Sequence, residues 1–177
     1  RFDGSTYSYV GEINAVGFYG SGTSEWGIGM SMAANGLNLG VGTTQHNSGR
    51  GTVDIYSRAV ITNNWTHYGR IQPSVQSHTY QYFGSRVDMS SDGKVVVIGA
   101  YLVQNTVYRE GAAFVYEYTG SANGIYSGGS WTHRSSLYSP SPVDNGYFGK
   151  SVAISEDANY VLVGEPRTPA SGSVGPY

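Results

Sequence analysis

Three stretches of the chain alternate apolar residues with polar or small ones, and each ends in a turn followed by a second apolar run. Alternation at a period of two indicates a β-strand with one buried face. The alternating apolar residues, which we expect to be buried, are Met30 and Met32, Val87 and Met89, and Val152 and Ile154. The turns that follow are Asn35-Gly36, Asp92-Gly93 and Asp157-Ala158. Asn-Gly and Asp-Gly favour tight hairpin turns because both residues tolerate positive φ, so each stretch predicts a β-hairpin.

Two further strands are predicted after each hairpin. The return strand of the hairpin is continuously apolar, as in the run from Val95 to Ile98, which is typical of a central strand buried on both faces. The third strand is predicted at Gly51–Tyr56, Gly111–Tyr116 and Gly172–Tyr177. The fourth strand is predicted at Trp65–Ile71 and Trp131–Leu137, and the N-terminal stretch Tyr7–Ile13 has the same pattern.

The hairpins align with one another without gaps, so the chain contains an internal repeat. The aligned glycines lie 57 and then 65 positions apart. The equivalent positions are Trp26, Phe83 and Phe148; Gly27, Gly84 and Gly149; Gly42, Gly99 and Gly164; and Trp65 and Trp131. Four short antiparallel strands at a period of about 60 residues indicate the blades of a β-propeller.

We therefore predict an all-β fold of antiparallel four-stranded blade repeats of the β-propeller type, with about three repeats permuted by one strand. The whole chain, 1–177, is expected to form a single repeat array. Residues 1–14 supply a lone fourth strand, 26–71 and 83–137 each form a blade, and 148–177 form three strands of an incomplete blade.

The repeat resembles the FG-GAP repeat, which carries Phe-Gly at the start of its first strand and Gly-Ala-Pro after its second. The second repeat has Phe83-Gly84 with Gly99-Ala100, and the third has Phe148-Gly149 with Gly164-Glu165-Pro166. The first repeat is a degenerate copy, with Trp26-Gly27 and Gly42-Thr43. Proteins of this family include integrin α-subunit heads and other cell-surface or secreted proteins. The resemblance implies a β-propeller that serves adhesion or ligand binding outside the cell or at its surface.

Calcium binding does not carry over from the integrin-like members of the family. Their loops between strands two and three contain an Asp-x-Asp-x-Asp-Gly ladder, whereas the matching loops here read TTQHNSGR, AYLVQNTVYRE and EPRTPAS. These loops lack the set of carboxylates that a hard cation requires. We predict no metal site and no cofactor.

Composition supports a strand-rich, glycine-rich protein and excludes several classes of function. Glycine accounts for 26 of the 177 residues, tyrosine for 16, and charged residues for only 12%. The formal net charge is −2 and no Lys/Arg cluster occurs, so we expect no nucleic-acid partner. The apolar runs are too short for membrane insertion, and the absence of cysteine excludes disulfides and thiol catalysis. Because the chain opens with Arg1 rather than Met, we expect a mature or excised segment.

No catalytic set of residues stands out in the sequence. His67 and His133 occupy the same repeat position, which favours a structural role at the strand surface. Asp92 and Asp157 lie in matching turns, where aspartate favours the bend itself. We expect a non-catalytic protein, and the alternative is a propeller-type glycan-binding or glycan-cleaving enzyme.

Loop tyrosines and two modification signals are the other candidate functional features. Tyrosine combines a large contact area with a polar tip, and the loop tyrosines are Tyr80, Tyr82, Tyr101, Tyr108 and Tyr138. Asn64-Trp65-Thr66 is the glycosylation acceptor motif of the chain. The stretch Ser139-Pro140-Ser141-Pro142 is expected to be extended and exposed, and its prolines could carry O-glycans if the source is a plant or an alga.

The arrangement of the predicted strands points to assembly. The third repeat lacks a fourth strand, whereas an equivalent strand lies at the N-terminus, with Tyr7, Tyr9, Gly11 and Ile13 as the candidate residues for strand donation. Donation to a second copy would give a ring or a filament. Alternatively, neighbouring repeats of a longer polypeptide would supply the same pairing. The function predicted from these features is a non-catalytic extracellular structural or adhesive module, which self-associates or binds a protein or glycan ligand.

Overall fold

The computed structural model of the chain describes residues 4–7, 9, 12–13, 25–61, 64–73 and 81–167. This part of the chain contains two four-stranded sheets and one two-stranded sheet, in which all neighbouring strands are antiparallel. The strands of the first sheet are β1 (Trp26–Met32), β2 (Asn38–Thr43), β3 (Thr52–Ser57) and β4 (Thr66–Ile71). Those of the second are β5 (Arg86–Met89), β6 (Val95–Ala100), β7 (Ala112–Tyr118) and β8 (Trp131–Leu137). The third sheet pairs β9 (Ser151–Ile154) with β10 (Val161–Gly164).

Each sheet is one blade, and its strands are hydrogen-bonded in the order in which they occur along the chain. The helix found in the described residues is the four-residue turn α1 (His46–Gly49), between β2 and β3. The all-β, blade-repeat fold predicted from the sequence is therefore confirmed. The predicted third strand of the third repeat, Gly172–Tyr177, lies outside the described residues. No helix in the described ranges has both the length and the apolar character that crossing a membrane would require.

The repeated glycines allow successive blades to approach each other closely. A Cβ atom on Gly42 would lie 1.9 Å from the carbonyl oxygen of Gly84, and one on Gly99 would lie 2.2 Å from that of Gly149. Real Cβ atoms do not come this close to backbone, so a side chain at either position would force the blades apart. The shared Gly of the motif is thus explained by contact between the second strand of one blade and the Phe-Gly turn of the next.

The Phe of the motif belongs to the following blade and connects it to the preceding one. Phe83 forms a parallel bridge with Gly51, and Phe148 forms the equivalent bridge with Gly111. The Phe83 ring is fully buried and lies 5.6 Å from the ring of Phe114 in the core between the first and second blades. Burial of a phenylalanine side chain contributes about 1.5–3 kcal/mol, so this residue anchors one blade to the next.

Local turn chemistry repeats as the sequence predicted. Asp92 accepts hydrogen bonds from Ser90 Oγ at 2.7 Å and from the backbone N–H of Lys94 at 2.9 Å. Asp157 accepts the equivalent bonds from Ser155 Oγ at 2.6 Å and from the N–H of Asn159 at 3.1 Å. Both aspartates therefore stabilise the hairpin bend through their own side chains.

The predicted burial of Met30 and Met32 is wrong. These side chains are 60% and 52% exposed, respectively, whereas Val87 and Met89 at the equivalent positions are buried. Val87 and Met89 lie over Gly40, since a Cβ atom there would be 3.1 Å from Val87 Cγ1 and 3.6 Å from Met89 Cε. Their face of the blade is covered by the preceding blade, and the corresponding face of the first blade points away from the second.

Candidate functional site

The first candidate surface consists of the two open blade faces. On the first blade, the exposed apolar side chains are Ile28, Met30 and Met32. On the third blade, Tyr160 and Leu162 are 76% and 74% exposed. Leu162 aligns with Gly40, whose position faces the following blade, so the exposed residues of the third blade lie on the face that a following blade would cover. The open face of the first blade is equivalent to the face of the second blade that packs on the first. The open face of the third blade is equivalent to the face of the first blade that packs on the second.

Part of the N-terminal stretch proposed for strand donation lies against the first blade of its own chain. Ile13 packs on the cluster formed by Leu39, Val41 and Tyr56. The equivalent residue Ile71 is buried in the core between the first and second blades. Ile13 therefore occupies the position that a fourth strand of a preceding blade would give it. Tyr7 and Tyr9 are exposed, and Gly11 lies outside the described residues.

The second candidate surface is formed by tyrosines and cations at the boundary between the second and third blades. The Tyr101 ring lies 5.5 Å from the Tyr82 ring and 5.8 Å from the Tyr147 ring. Lys150 Nζ lies 3.5 Å from the centroid of the Tyr101 ring, and Arg167 Cζ lies 4.9 Å from that of Tyr147. We call these five residues the tyrosine–lysine rim.

Sequence reasoning found Tyr82 and Tyr101 but missed the other members of the rim. Tyr147 precedes Phe148 as Tyr82 precedes Phe83, and this repeated Tyr-Phe-Gly was the available signal. Of the other loop tyrosines, Tyr108 is exposed beside Arg109, Tyr138 is exposed, and Tyr80 lies outside the described residues.

A buried charge cluster breaks the repeat symmetry in the first blade. Asp54 is fully buried on β3, at the position that Phe114 occupies on β7. Its Oδ1 lies 2.9 Å from His67 Nε2 and accepts a hydrogen bond from Arg70 Nε at 2.8 Å. A buried carboxylate needs such partners because an unpaired charge in the interior is strongly destabilising.

The neighbourhood of this cluster also affects His46 on α1. Burial lowers the pKa of His46, Arg70 lowers it further, and Asp54 opposes both effects. Since Asp54 already binds an arginine and a histidine, the cluster is best explained as a structural ion pair. Sequence reasoning placed His67 at the strand surface and missed its bond to Asp54, although a lone acid in an otherwise apolar strand was a signal.

The remaining predicted sites lie at the surface. Asn64 is exposed and lies two residues before the start of the blade strand β4. In the proline stretch, Pro140, Ser141 and Pro142 are exposed, but Ser139 is buried and donates a hydrogen bond to Glu165 at 2.7 Å. The prediction that the whole stretch is exposed is therefore wrong for Ser139. Within the described ranges, no group of three or more His, Asp or Glu side chains is arranged to hold a metal ion.

Residues 65–116 match the family model described as FG-GAP repeat. The matched segment runs from the fourth strand of the first blade into the third strand of the second, and it contains Phe83-Gly84 and Gly99-Ala100. No curated protein matches the chain. FG-GAP repeats are typical of extracellular and cell-surface proteins, and the match confirms the family resemblance stated from the sequence. Residues 65–116 therefore form an FG-GAP repeat, within an array of antiparallel blades of the β-propeller type.

Proposed function

We propose that this chain is a non-catalytic extracellular structural or adhesive module that assembles through its two open blade faces. The observation that carries the proposal is the exposure of Met30 and Met32 on one face and of Tyr160 and Leu162 on the other. Their equivalents within the chain form the packed boundaries between blades. The open faces therefore carry apolar side chains at positions that pack between blades elsewhere in the chain, but these side chains are exposed.

The energetic reason for assembly is the burial of these side chains. Burying a large apolar side chain contributes about 1.5–3 kcal/mol. Together, the exposed apolar residues of the two faces supply a substantial driving force, against which the loss of freedom on association must be set. A contiguous apolar patch of this kind marks an interaction surface.

The occupant we propose is a second copy of the chain, joined head to tail. The two faces carry different residues, so the contact is heterologous and closes into a ring or continues as a filament. The position of Ile13 supports strand donation in the same assembly. This residue stays on its own first blade, while the strand that precedes it would complete the third blade of the partner.

Analytical ultracentrifugation of the full chain over a concentration series tests the proposal. We expect species larger than the monomer for the natural sequence, and a monomer for the double variant Met32→Lys with Leu162→Lys. The double variant should keep its fold, as an unchanged far-ultraviolet circular-dichroism spectrum would show, because both side chains are exposed in the single chain. Ile125→Lys is the matched control, since Ile125 is also an exposed apolar residue but lies in the loop between β7 and β8.

Two results would contradict the proposal. A natural chain that is monomeric throughout the series excludes assembly of copies. A double variant that assembles as the natural chain does excludes the open faces as the contact. Deletion of residues 1–14 tests strand donation separately: if the truncated chain keeps its assembly state and stability, the N-terminal strand is not donated.

A further inference from the structure

We propose that the tyrosine–lysine rim binds an anionic saccharide, a polymer or oligomer that carries uronate carboxylates or sulfate esters. The rim comprises Tyr82, Tyr101, Tyr147, Lys150 and Arg167, at the boundary of the second and third blades. It lies apart from the residues that carry the assembly proposal, so the two proposals stand or fall independently.

The rim concentrates positive charge at one place on the surface. Burial lowers the pKa of Lys150, and the charges of Arg86 and Arg167 lower it further. Lys150 Nζ lies 6.0 Å and Arg167 Cζ 4.9 Å from the centroid of the same Tyr147 ring, so these two cations are close neighbours. The ion pairs found in the described residues engage Asp54 and Glu117, and none of them includes Arg86, Lys150 or Arg167. A bound anion would relieve this repulsion and form charge-assisted hydrogen bonds.

Glu25, an acidic residue on the side of the first blade, is not part of any ion pair among the described residues. Burial and the neighbouring Tyr82 raise the pKa of Tyr101 most, and the charge of Glu25 raises it further. Its carboxylate accepts a hydrogen bond from Thr44 Oγ1 at 2.5 Å in the first blade. Glu25 therefore bounds the positive surface on the side of the first blade.

Two of the rim tyrosines have an unusual backbone conformation. Tyr82 has φ 55° and Tyr147 has φ 59°, both in the left-handed region that favours glycine. A residue with a side chain is strained in this region, because its Cβ atom crowds the following carbonyl oxygen. Backbone bonds hold both residues in place, from Tyr82 N–H to the Gly49 carbonyl at 3.1 Å and from Tyr147 N–H to the Arg109 carbonyl at 3.3 Å. Strain held at equivalent positions of two repeats, each time with a tyrosine, indicates that the ring itself is used.

The combination of rings and cations identifies the ligand class. Three half-buried tyrosine rings form a row in which Tyr101 is the central member. Tyrosine offers an apolar face to the C–H surface of a sugar ring and a hydroxyl to its polar edge. Arginine and lysine bind carboxylate and sulfate oxygens. A row that offers both chemistries suits a chain of hydroxylated rings with regularly placed anions better than it suits a single small anion.

Isothermal titration calorimetry of the full chain against defined polymers tests the inference. The probes are a polyuronate, a sulfated polysaccharide, a neutral polysaccharide and poly-glutamate. We expect binding to the polyuronate, to the sulfated polymer or to both, which distinguishes the two sources of anion. Arg167→Gln and Lys150→Gln should each weaken binding about tenfold or more, because each removes a charge-assisted contact. Raising the salt concentration should weaken binding further.

Lys94→Gln is the matched control, because it removes one positive charge in the hairpin of the second blade, outside the rim. The net charge of the chain is −2, so binding to a polyanion has to come from a local surface. The inference is overturned if neither acidic polysaccharide binds, if Lys94→Gln weakens binding as much as the rim variants do, or if poly-glutamate binds equally well. Arg167 is exposed, so its variant keeps the test decisive even if Lys150→Gln fails to fold.

Discussion

The backbone N–H of Ile154 in the third blade donates a hydrogen bond of 2.8 Å to the carboxylate of Asp88 in the second. The other oxygen of that carboxylate accepts a 2.8 Å hydrogen bond from Ser31 Oγ in the first blade. The half-buried side chain of Asp88 therefore ties the three blades together through hydrogen bonds to the first and the third. The hairpin turns add a parallel link, because Ser91 accepts from Ala34 N–H at 3.1 Å and donates to the Glu156 carbonyl at 3.0 Å.

Removal of this tie should destabilise the whole array. Asp88→Ala leaves the Ile154 N–H and the Ser31 hydroxyl without their acceptor, and we expect a loss of about 1–3 kcal/mol in the free energy of unfolding. Urea denaturation followed by tryptophan fluorescence measures it. Glu156→Gln, an exposed change on the neighbouring turn, is expected to stay within about 0.5 kcal/mol of the natural chain. Equal stability of the Asp88→Ala and natural chains would show that the tie is dispensable.

The contact glycines should be far less tolerant than a glycine in open space. In Gly99→Ala the new methyl group meets the Gly149 carbonyl oxygen, so the blades must separate, and we expect a loss of at least about 1–3 kcal/mol or failure to fold. Gly69→Ala is the control, because a Cβ atom on this strand glycine meets nothing within 4 Å. Thermal melting of the two variants tests whether the blades are in contact at Gly99. Similar melting temperatures for Gly99→Ala and Gly69→Ala would contradict that contact.

Acid should weaken the first blade through His46. The folded chain lowers the pKa of this residue below its ordinary value of 6.5, so the folded state binds fewer protons than the unfolded state. The contribution of neutral His46 to stability is present above that value and is lost as the pH falls through the lowered pKa. We expect His46→Gln to reduce the loss of stability between neutral and mildly acidic pH, as measured by urea denaturation at each pH. An unchanged pH dependence in this variant would exclude His46 as its source.

Asn64 should carry an N-glycan if the protein passes through a eukaryotic secretory pathway. The acceptor Asn64-Trp65-Thr66 begins at an exposed residue two positions before β4, so the site is accessible. Mass spectrometry of the intact peptide spanning residues 61–70 from the native source is the measurement. A fully unmodified peptide would reject the prediction and would weaken the proposed extracellular location.

Chelation should leave stability unchanged. The loops between strands two and three lack a carboxylate ladder, and the described residues contain no cluster of potential metal ligands. We expect equal melting temperatures with and without a chelator of divalent cations. A lower melting temperature in its presence would reveal an ion held by backbone carbonyls.

The sequence by itself determined the strands, the turns and the repeat, because each of these depends on neighbouring residues. Period-two alternation marks a strand, and the side chains of Asp92 and Asp157 bend the chain beside them. The fold class could therefore be predicted without knowledge of any distant contact. The in-register glycines indicated a common role even before the partner carbonyls were known.

Only the tertiary structure decided which faces are covered and which side chains meet. Met30 and Val87 share a pattern, yet one is exposed and the other buried, because burial depends on whether another blade lies over that face. The pairing of Asp54 with His67, and the meeting of Tyr101 with Lys150, join residues from different strands or repeats. The first contact is set by the register of β3 with β4 and the second by how the second and third blades stack, and a local period carries no information about either.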